Sequence, residues 1–274
     1  MLLDTDTIFA ANRAVARLTL DAKWADGATR RRRVHEQGGL RVRCPGPPAA
    51  ELEAMIVNTA GGMAGGDTFD LDFKVGPGAR LLVTTAAAEK VYRTLGCETT
   101  ITARLDVAAG GELAWLPQET ILFDRARLQR TIEINLAADA RLLMAEAVIF
   151  GRAGMGETVT KGLLFDRWRL RRSGRLIHAE SVRLDGNVAA KLAQSAVAKS
   201  GIAMATVLSV PGDETTVAAA RAASRECRGE VGVSAWNGLA VVRLIAAEGA
   251  ALRHDLACVL TSIRGGRLPQ LWHH

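Results

Sequence analysis

The sequence is poor in the residues that usually announce a redox, metal or nucleic-acid site. Its four cysteines, Cys44, Cys97, Cys227 and Cys258, form no CxxC pair and keep no regular spacing. That argues against a zinc site, and scattered thiols suit a reducing compartment. The five histidines are equally dispersed, apart from His273-His274 at the end, which read either as native or as the remnant of a tag. A single tyrosine in a chain with 4% aromatic residues leaves little for base stacking, so a nucleic-acid-binding β-surface is disfavoured. No apolar run approaches the ~20 residues that cross a bilayer. The first residues, MLLDTDTIFAANR, place two aspartates ahead of any basic residue, unlike a secretory or mitochondrial leader. The expected address is cytoplasmic, with no membrane and no nucleic-acid partner.

What is present is an ordinary globular composition in 274 residues, 49% hydrophobic and 23% charged, with a formal net charge of +6. A chain of this length can bury roughly 75% of the surface exposed by its unfolded form. Much of the positive excess is arginine, in Arg30 to Arg33 and in Arg167, Arg169, Arg171 and Arg172. Such runs read as solvated strand faces or as surface steering toward an acidic partner.

Period-2 alternation dominates the first two thirds. Ala16, Leu18, Leu20 and Ala22 alternate with polar neighbours, as do Phe69, Leu71, Phe73 and Val75, then Ile101, Ala103, Leu105 and Val107, then Ile132, Ile134 and Leu136. Each is a half-buried strand with one wet face. Turn signals separate them: Asp26-Gly27, Gly76-Pro77-Gly78, Gly110-Gly111, Ser173-Gly174 and Asp185-Gly186-Asn187. On this pattern the strands form a long antiparallel run. After Asn187 the period changes. Helices are expected over 188–199, 215–227 and 251–264, with a strand over 202–210 and a hairpin turning at Asn237-Gly238. One β-rich domain covering 1–274 is expected, with a small helical part toward the C-terminus.

The stretch NTAGGMAGGD, Asn58 to Asp67, places four glycines and an aspartate directly after a strand. A phosphate loop needs GxxxxGK[ST] before a helix. Here Asp67-Thr68 and another strand follow, and the aspartate repels phosphate. GxSxG is absent too, so a nucleophile elbow has no anchor. The glycines read as backbone requirements of a turn or bulge, and Asp67 either as a turn aspartate or as a functional acid.

Five segments in order resemble the UreD (UreH) family of urease accessory proteins. They are NTAGGMAGGD, TTAAAEKVYR (84–93), WLPQETILFDRARLQR (115–130), EAVIFGRAGMGE (146–157) and the terminal LPQLW. Two departures stand out: Ala86 where the family is expected to carry glutamine, and Glu146 where relatives can carry aspartate. The resemblance implies a mainly β fold, a β-helix-like stack of antiparallel and mixed strands with a small helical part. It implies a scaffold without catalysis of its own, which binds UreF and, through it, the GTPase UreG, and docks on apo-urease to help insert nickel. It implies no tightly bound cofactor, only nickel in transit through an internal passage.

Loose carboxylate and water ligands suit such transit better than histidine or cysteine clusters. The resemblance carries the passage onto Asp67, Glu146 and Glu180, with Asp67 and Glu180 expected on one interior route. For Glu146 the alternative is a salt bridge to Arg93, Arg130 or Arg152; for Glu180 it is a cross-strand ion pair. Tyr92 and Lys90 read as structural or partner contacts. A hydrolase-type site from Thr84, Thr85, Lys90 and nearby carboxylates is the enzymatic rival. The arginine runs, and the helix over 251–264, are candidate partner surface.

Overall fold

The computed structural model describes residues 13–272. The His273-His274 pair and residues 1–12 lie outside the described residues. Strands are numbered along the chain. The first sheet runs, in spatial order, β14 (Arg175–Asn187), β13 (Lys161–Arg172), β11 (Arg127–Leu136), β8 (Thr99–Val107), β5 (Thr68–Val75), β1 (Val15–Ala25) and β2 (Ala28–Gln37). The second runs β16 (Glu230–Trp236), β17 (Leu239–Ala246), β15 (Ala203–Val210), β12 (Arg141–Phe150), β9 (Glu112–Trp115), β6 (Arg80–Thr85), β4 (Glu51–Asn58) and β3 (Leu40–Arg43). The short β7 (Glu89–Val91) and β10 (Thr120–Leu122) pair with each other, and β10 also pairs with β12.

The alternating residues do form half-buried strands, but their pairing differs from an antiparallel run. From β5 to β13 the long strands alternate between sheets, so β1, β5, β8, β11 and β13 pair in parallel, as do β4, β6, β9 and β12. Gly76-Pro77-Gly78 and Gly110-Gly111 are therefore corners that carry the chain from one sheet to the other. This coil is the β-helix-like stack. Antiparallel pairs are β1–β2, β13–β14 and β16–β17, joined by tight turns at Asp26-Gly27, Ser173-Gly174 and Asn237-Gly238, and β3–β4, β12–β15 and β15–β17, joined by longer connections. Period-2 alternation reports which face is wet, not strand direction, and this is why the sequence pattern could not separate the two.

The helical part is α1 (Val188–Leu192), α2 (Glu214–Ser224) and α3 (Gly249–Arg264). The first is much shorter than the alanine-rich 188–199 stretch suggests: Asn187 caps it through Ala190 N, and it ends before Ala193. Asp213 caps α2 through Thr216 N, and α3 stops at Gly265 in the left-handed conformation.

Two cores result. Between the sheets lie Leu18, Leu20, Phe73, Leu105, Ile132, Ile134, Leu81, Val83, Trp115 and Met144. On the other face of the second sheet, Leu82, Leu116, Ala145 and Val207 meet Leu252, Leu256, Val259 and Leu260 of α3. Strand β12, apolar on both faces, is sandwiched between the two. No helix among the described residues is long and apolar enough to cross a membrane.

Candidate functional site

In β11 the inward positions are Leu128, Arg130, Ile132 and Ile134; in β13 they are Leu164, Asp166, Trp168 and Leu170. Strand β12 directs Met144, Glu146 and Val148 to the same interior, and β14 directs His178, Glu180, Val182 and Leu184 there. Four strands thus each place a charged residue in an apolar phase. The parallel register sets Arg130 beside Asp166, and the facing sheet brings in Glu146.

Arg130 is clamped. One terminal guanidinium nitrogen donates to Glu146 Oε2, and the other donates to Asp166 Oδ2. Its Nε donates to Asp166 Oδ1 at 3.1 Å. Two indoles finish the carboxylates: Trp115 Nε1 donates to Glu146 Oε1 at 2.7 Å, and Trp168 Nε1 to Asp166 Oδ1 at 2.8 Å. All three charged groups are buried. Burial pushes the Glu146 carboxyl up; the Arg130 guanidinium pulls it back, and the nearby Asp166 charge adds to the rise. Burial also works against the Arg130 charge, but the two carboxylates outweigh it and raise its pKa further. These directions agree physically: a lone cation between two acids stays charged, while the second acid has no full partner.

Glu180 sits at the outer end of this interior. Its Oε2 accepts from an Arg243 guanidinium nitrogen at 3.0 Å, reaching across to β17. His178 Nε2 lies 3.3 Å from the same oxygen, outside hydrogen-bond geometry. Burial works to raise the Glu180 carboxyl, but the His178 and Arg243 contacts prevail and hold it below its ordinary value.

Two cavities flank the triad. One, of about 20 Å³, is lined by Arg130, Glu146, Asp166, Glu180 and Thr206. The other, of about 70 Å³, is lined by Arg130, Glu146, Asn58, Thr85, Glu89 and Gln118. Arg130 and Glu146 are their common wall. At the second cavity, burial pushes the Glu89 carboxyl up, against the hydrogen bond it accepts from Asn58 Nδ2 at 3.0 Å.

Asp67 is elsewhere. It is buried, and its Oδ1 accepts from Ala14 N at 2.8 Å and its Oδ2 from Ala64 N at 2.7 Å, tying the glycine loop to the start of β1. The structure thus brings Glu146 and Glu180 to one cavity, which Asp67 does not line. The glycines act as backbone. A Cβ on Gly62 would lie 2.5 Å from the Tyr92 ring, and one on Gly65 would lie 2.0 Å from Thr94 Oγ1. Tyr92 completes this packing by donating to Gly61 O and standing edge-on to Phe123.

The proposed hydrolase residues are not gathered. Thr84 and Thr85 point to opposite faces of β6, and Lys90 is exposed. Thr85 Oγ1 donates to Ala87 O and accepts from Gln118 N. Among the described residues, no group of three or more His, Cys, Asp or Glu side chains is placed to hold a metal ion. The arginine runs stand at the surface for the most part, with Arg31 to Arg33 and Arg167 exposed. In α3, Arg253 meets both Glu119 oxygens at 3.0 Å and Leu271 O at 2.8 Å, so the helix also anchors the C-terminal segment.

Asp166 and Glu89 escape motif reading, and Arg130 enters it only as a possible partner of Glu146. A signal existed: in LLFDRWRL and RLQRTIEI a charge occupies the apolar phase of a strand, which is costly unless paired.

Comparison with known proteins gives a consistent answer over almost the whole chain. The family model described as "UreD urease accessory protein" matches residues 14–273. A protein named urease accessory protein UreD from Rhodopseudomonas palustris (strain BisA53) is 54% identical over 270 residues, 98% of this chain and 94% of its own. A relative of the same name from Bradyrhizobium diazoefficiens is 53% identical over 268 residues, covering 98% and 97% of the two chains. Urease accessory protein UreD 3 of a Bradyrhizobium species (strain BTAi1) is 51% identical over 265 residues, covering 97% and 95%.

Proposed function

The chain belongs to the UreD family of urease accessory proteins, and from that premise we propose that it works as a non-enzymatic scaffold in the cytoplasm, conducting nickel toward apo-urease. In this reading it binds UreF, which recruits the GTPase UreG, and the assembly docks on urease. Nickel is cargo, taken up and passed on, so no resident metal is required.

The observation that carries the passage reading is the row of inward charges, Glu180, Asp166, Arg130 and Glu146, set against two cavities that share a wall. Burying acids inside an apolar sandwich is costly, and apolar residues would pack there at no loss of stability. Their presence favours a use other than folding. Carboxylate oxygens hold a divalent first-row ion weakly enough to release it. Asp67 is the third proposed contact; each oxygen already accepts one amide, which leaves a lone pair on each. The exposed arginines of β2 and β13 are the proposed partner-facing surface, steering an acidic partner while the acids stay inside.

The test matures urease with the Asp67→Ala/Glu180→Ala variant. Co-purification with UreF should survive while nickel per urease falls. Normal nickel content would reject these two acids as passage residues.

A further inference from the structure

The first sheet ends at β2 on one side and β14 on the other, and the second ends at β3 and β16. An open edge is a row of unpaired backbone groups, and proteins guard it with short strands, proline, bulges or charge. Two of these edges are guarded in that way. Strand β2 carries Arg30 to Arg33 and bulges at Arg32, between the Asp21–Arg33 and Ala22–Arg31 pairs. Strand β3 is only 4 residues long, with Pro45, Pro47 and Pro48 close behind it. The other two edges lack these devices. Strand β14 runs for 13 residues, regular from His178 onward, and Arg183, the one arginine of that stretch, is paired with Asp185. Strand β16 reads EVGVSAW, with no proline, arginine or lysine. We propose that β14 is the docking edge for an extended acidic segment of a partner protein, which adds to the first sheet as one more strand. That the partner belongs to urease maturation rests on the reading above; the mode of pairing does not.

Backbone and charge both fit such a strand. Val188 N donates to Thr160 O, so in this register the even residues of β14 bond to β13. Ala179, Ser181, Arg183 and Asp185 therefore direct their N–H and C=O groups away from the sheet. Asn237 Nδ2 reaches Ile177 O on that same outward side at 3.5 Å, where the β16–β17 turn closes one end of the gap. Beyond it, no backbone pair joins β14 to β16 among the described residues. Val231 and Val233 pack on the helical core, which turns Gly232 and Ser234 toward the gap. A Cβ on Gly232 would meet nothing within 4 Å, so small side chains of an added strand have room beside Val182. The acids at this margin are already engaged, Glu180 with Arg243 and Asp185 with Arg183. Arg167, opposite Ser181, and Arg175 are exposed and in no ion pair among the described residues. An added strand with acids on its outer face would supply their partners, and its main chain would pair with the free edge.

Amide hydrogen exchange of the full-length chain reads the pairing directly. The probe is a short capped peptide that alternates glutamate with valine, and its counterpart alternates lysine with valine. The glutamate peptide should slow exchange at Ala179, Ser181, Arg183 and Asp185 by about tenfold or more, and leave the amides of β2 unchanged. The lysine peptide should need a concentration about tenfold higher for the same protection. Ser181→Pro removes one outward N–H and no bond to β13, so the fold should stand and the protection should go. No slowing, or slowing elsewhere, overturns the proposal, as does equal protection by the two peptides. If Ser181→Pro does not fold, the two peptides on the unmodified chain decide. Protection of the same amides without peptide, rising with protein concentration, would assign the edge to a second copy of the chain and reject an acidic partner. Failure of the maturation reading is seen separately: a Ser181→Pro chain that has lost the peptide yet fills urease with nickel keeps the docking edge and removes it from urease assembly.

Discussion

The two faces of the second sheet close two different interiors. Beneath the helices, Leu82, Val207, Leu252, Leu256 and Val259 pack together, and the buried Asp255 accepts from the backbone amides of Arg228 and Gly229, at 2.8 Å each. Between the sheets, Glu146 and Asp166 are satisfied by the Arg130 side chain and two indoles, next to cavities. An acid bound to backbone amides is fixed by the fold. An acid bound to another side chain can change partners. Asp67 follows the first pattern and Glu146 the second, although both are buried acids in one protein.

The largest effect expected is from Arg130→Ala. It strands two acids beside each other and should cost about 3–5 kcal/mol in urea denaturation, with part of the loss regained when a divalent ion is added. Leu252→Ala in the helical interior should cost about 2–5 kcal/mol through the cavity it leaves, and no added ion should restore it. If both losses respond alike to metal, the contrast between the interiors disappears. Replacing the whole clamp together with its two indole donors, as Arg130→Met/Glu146→Leu/Asp166→Leu/Trp115→Phe/Trp168→Phe, should leave stability unchanged or raise it by about 1–4 kcal/mol, because no buried donor is left unpaired. A large loss instead would mean that the acids are there for folding.

Why was so much of the fold readable and so little of the interior? Alternation gave the wet and dry faces of β1, β5, β8 and β11, and the turn residues marked nearly every corner. Strand direction depends on which sheet the next strand enters, and a corner such as Gly76-Pro77-Gly78 serves either route. Glu146 was visible because a single acid interrupts LLMAEAVIF. Asp166 was hidden because LLFDRWRL alternates charges with apolar residues, and only the phase shows that this acid points inward. The clamp itself joins β11, β12 and β13 across two sheets, which no local window contains.

Smaller effects sharpen the contrast at its edge. Arg243→Met removes a partly exposed partner of Glu180 and should cost less than about 1 kcal/mol. The sign follows from Glu180 being held below its ordinary value of 4.5. Its contribution is full above that pH and is lost as pH falls through the folded value. The acid-unfolding midpoint should therefore move to higher pH in Arg243→Met, as followed by circular dichroism; an unchanged midpoint would remove Arg243 from the account. Smallest of all, alkylation at neutral pH should mark the exposed Cys97 first. Burial and the nearby Asp255 push the Cys227 thiol up to about 11, which keeps its reactive thiolate scarce. Mass spectrometry after brief labelling checks the order.

The most direct test of the central claim is the nickel content of urease matured with the all-apolar clamp variant, counted alongside co-purified UreF. The account predicts an intact assembly that yields nickel-poor urease, and fully loaded urease from the same assembly would contradict it.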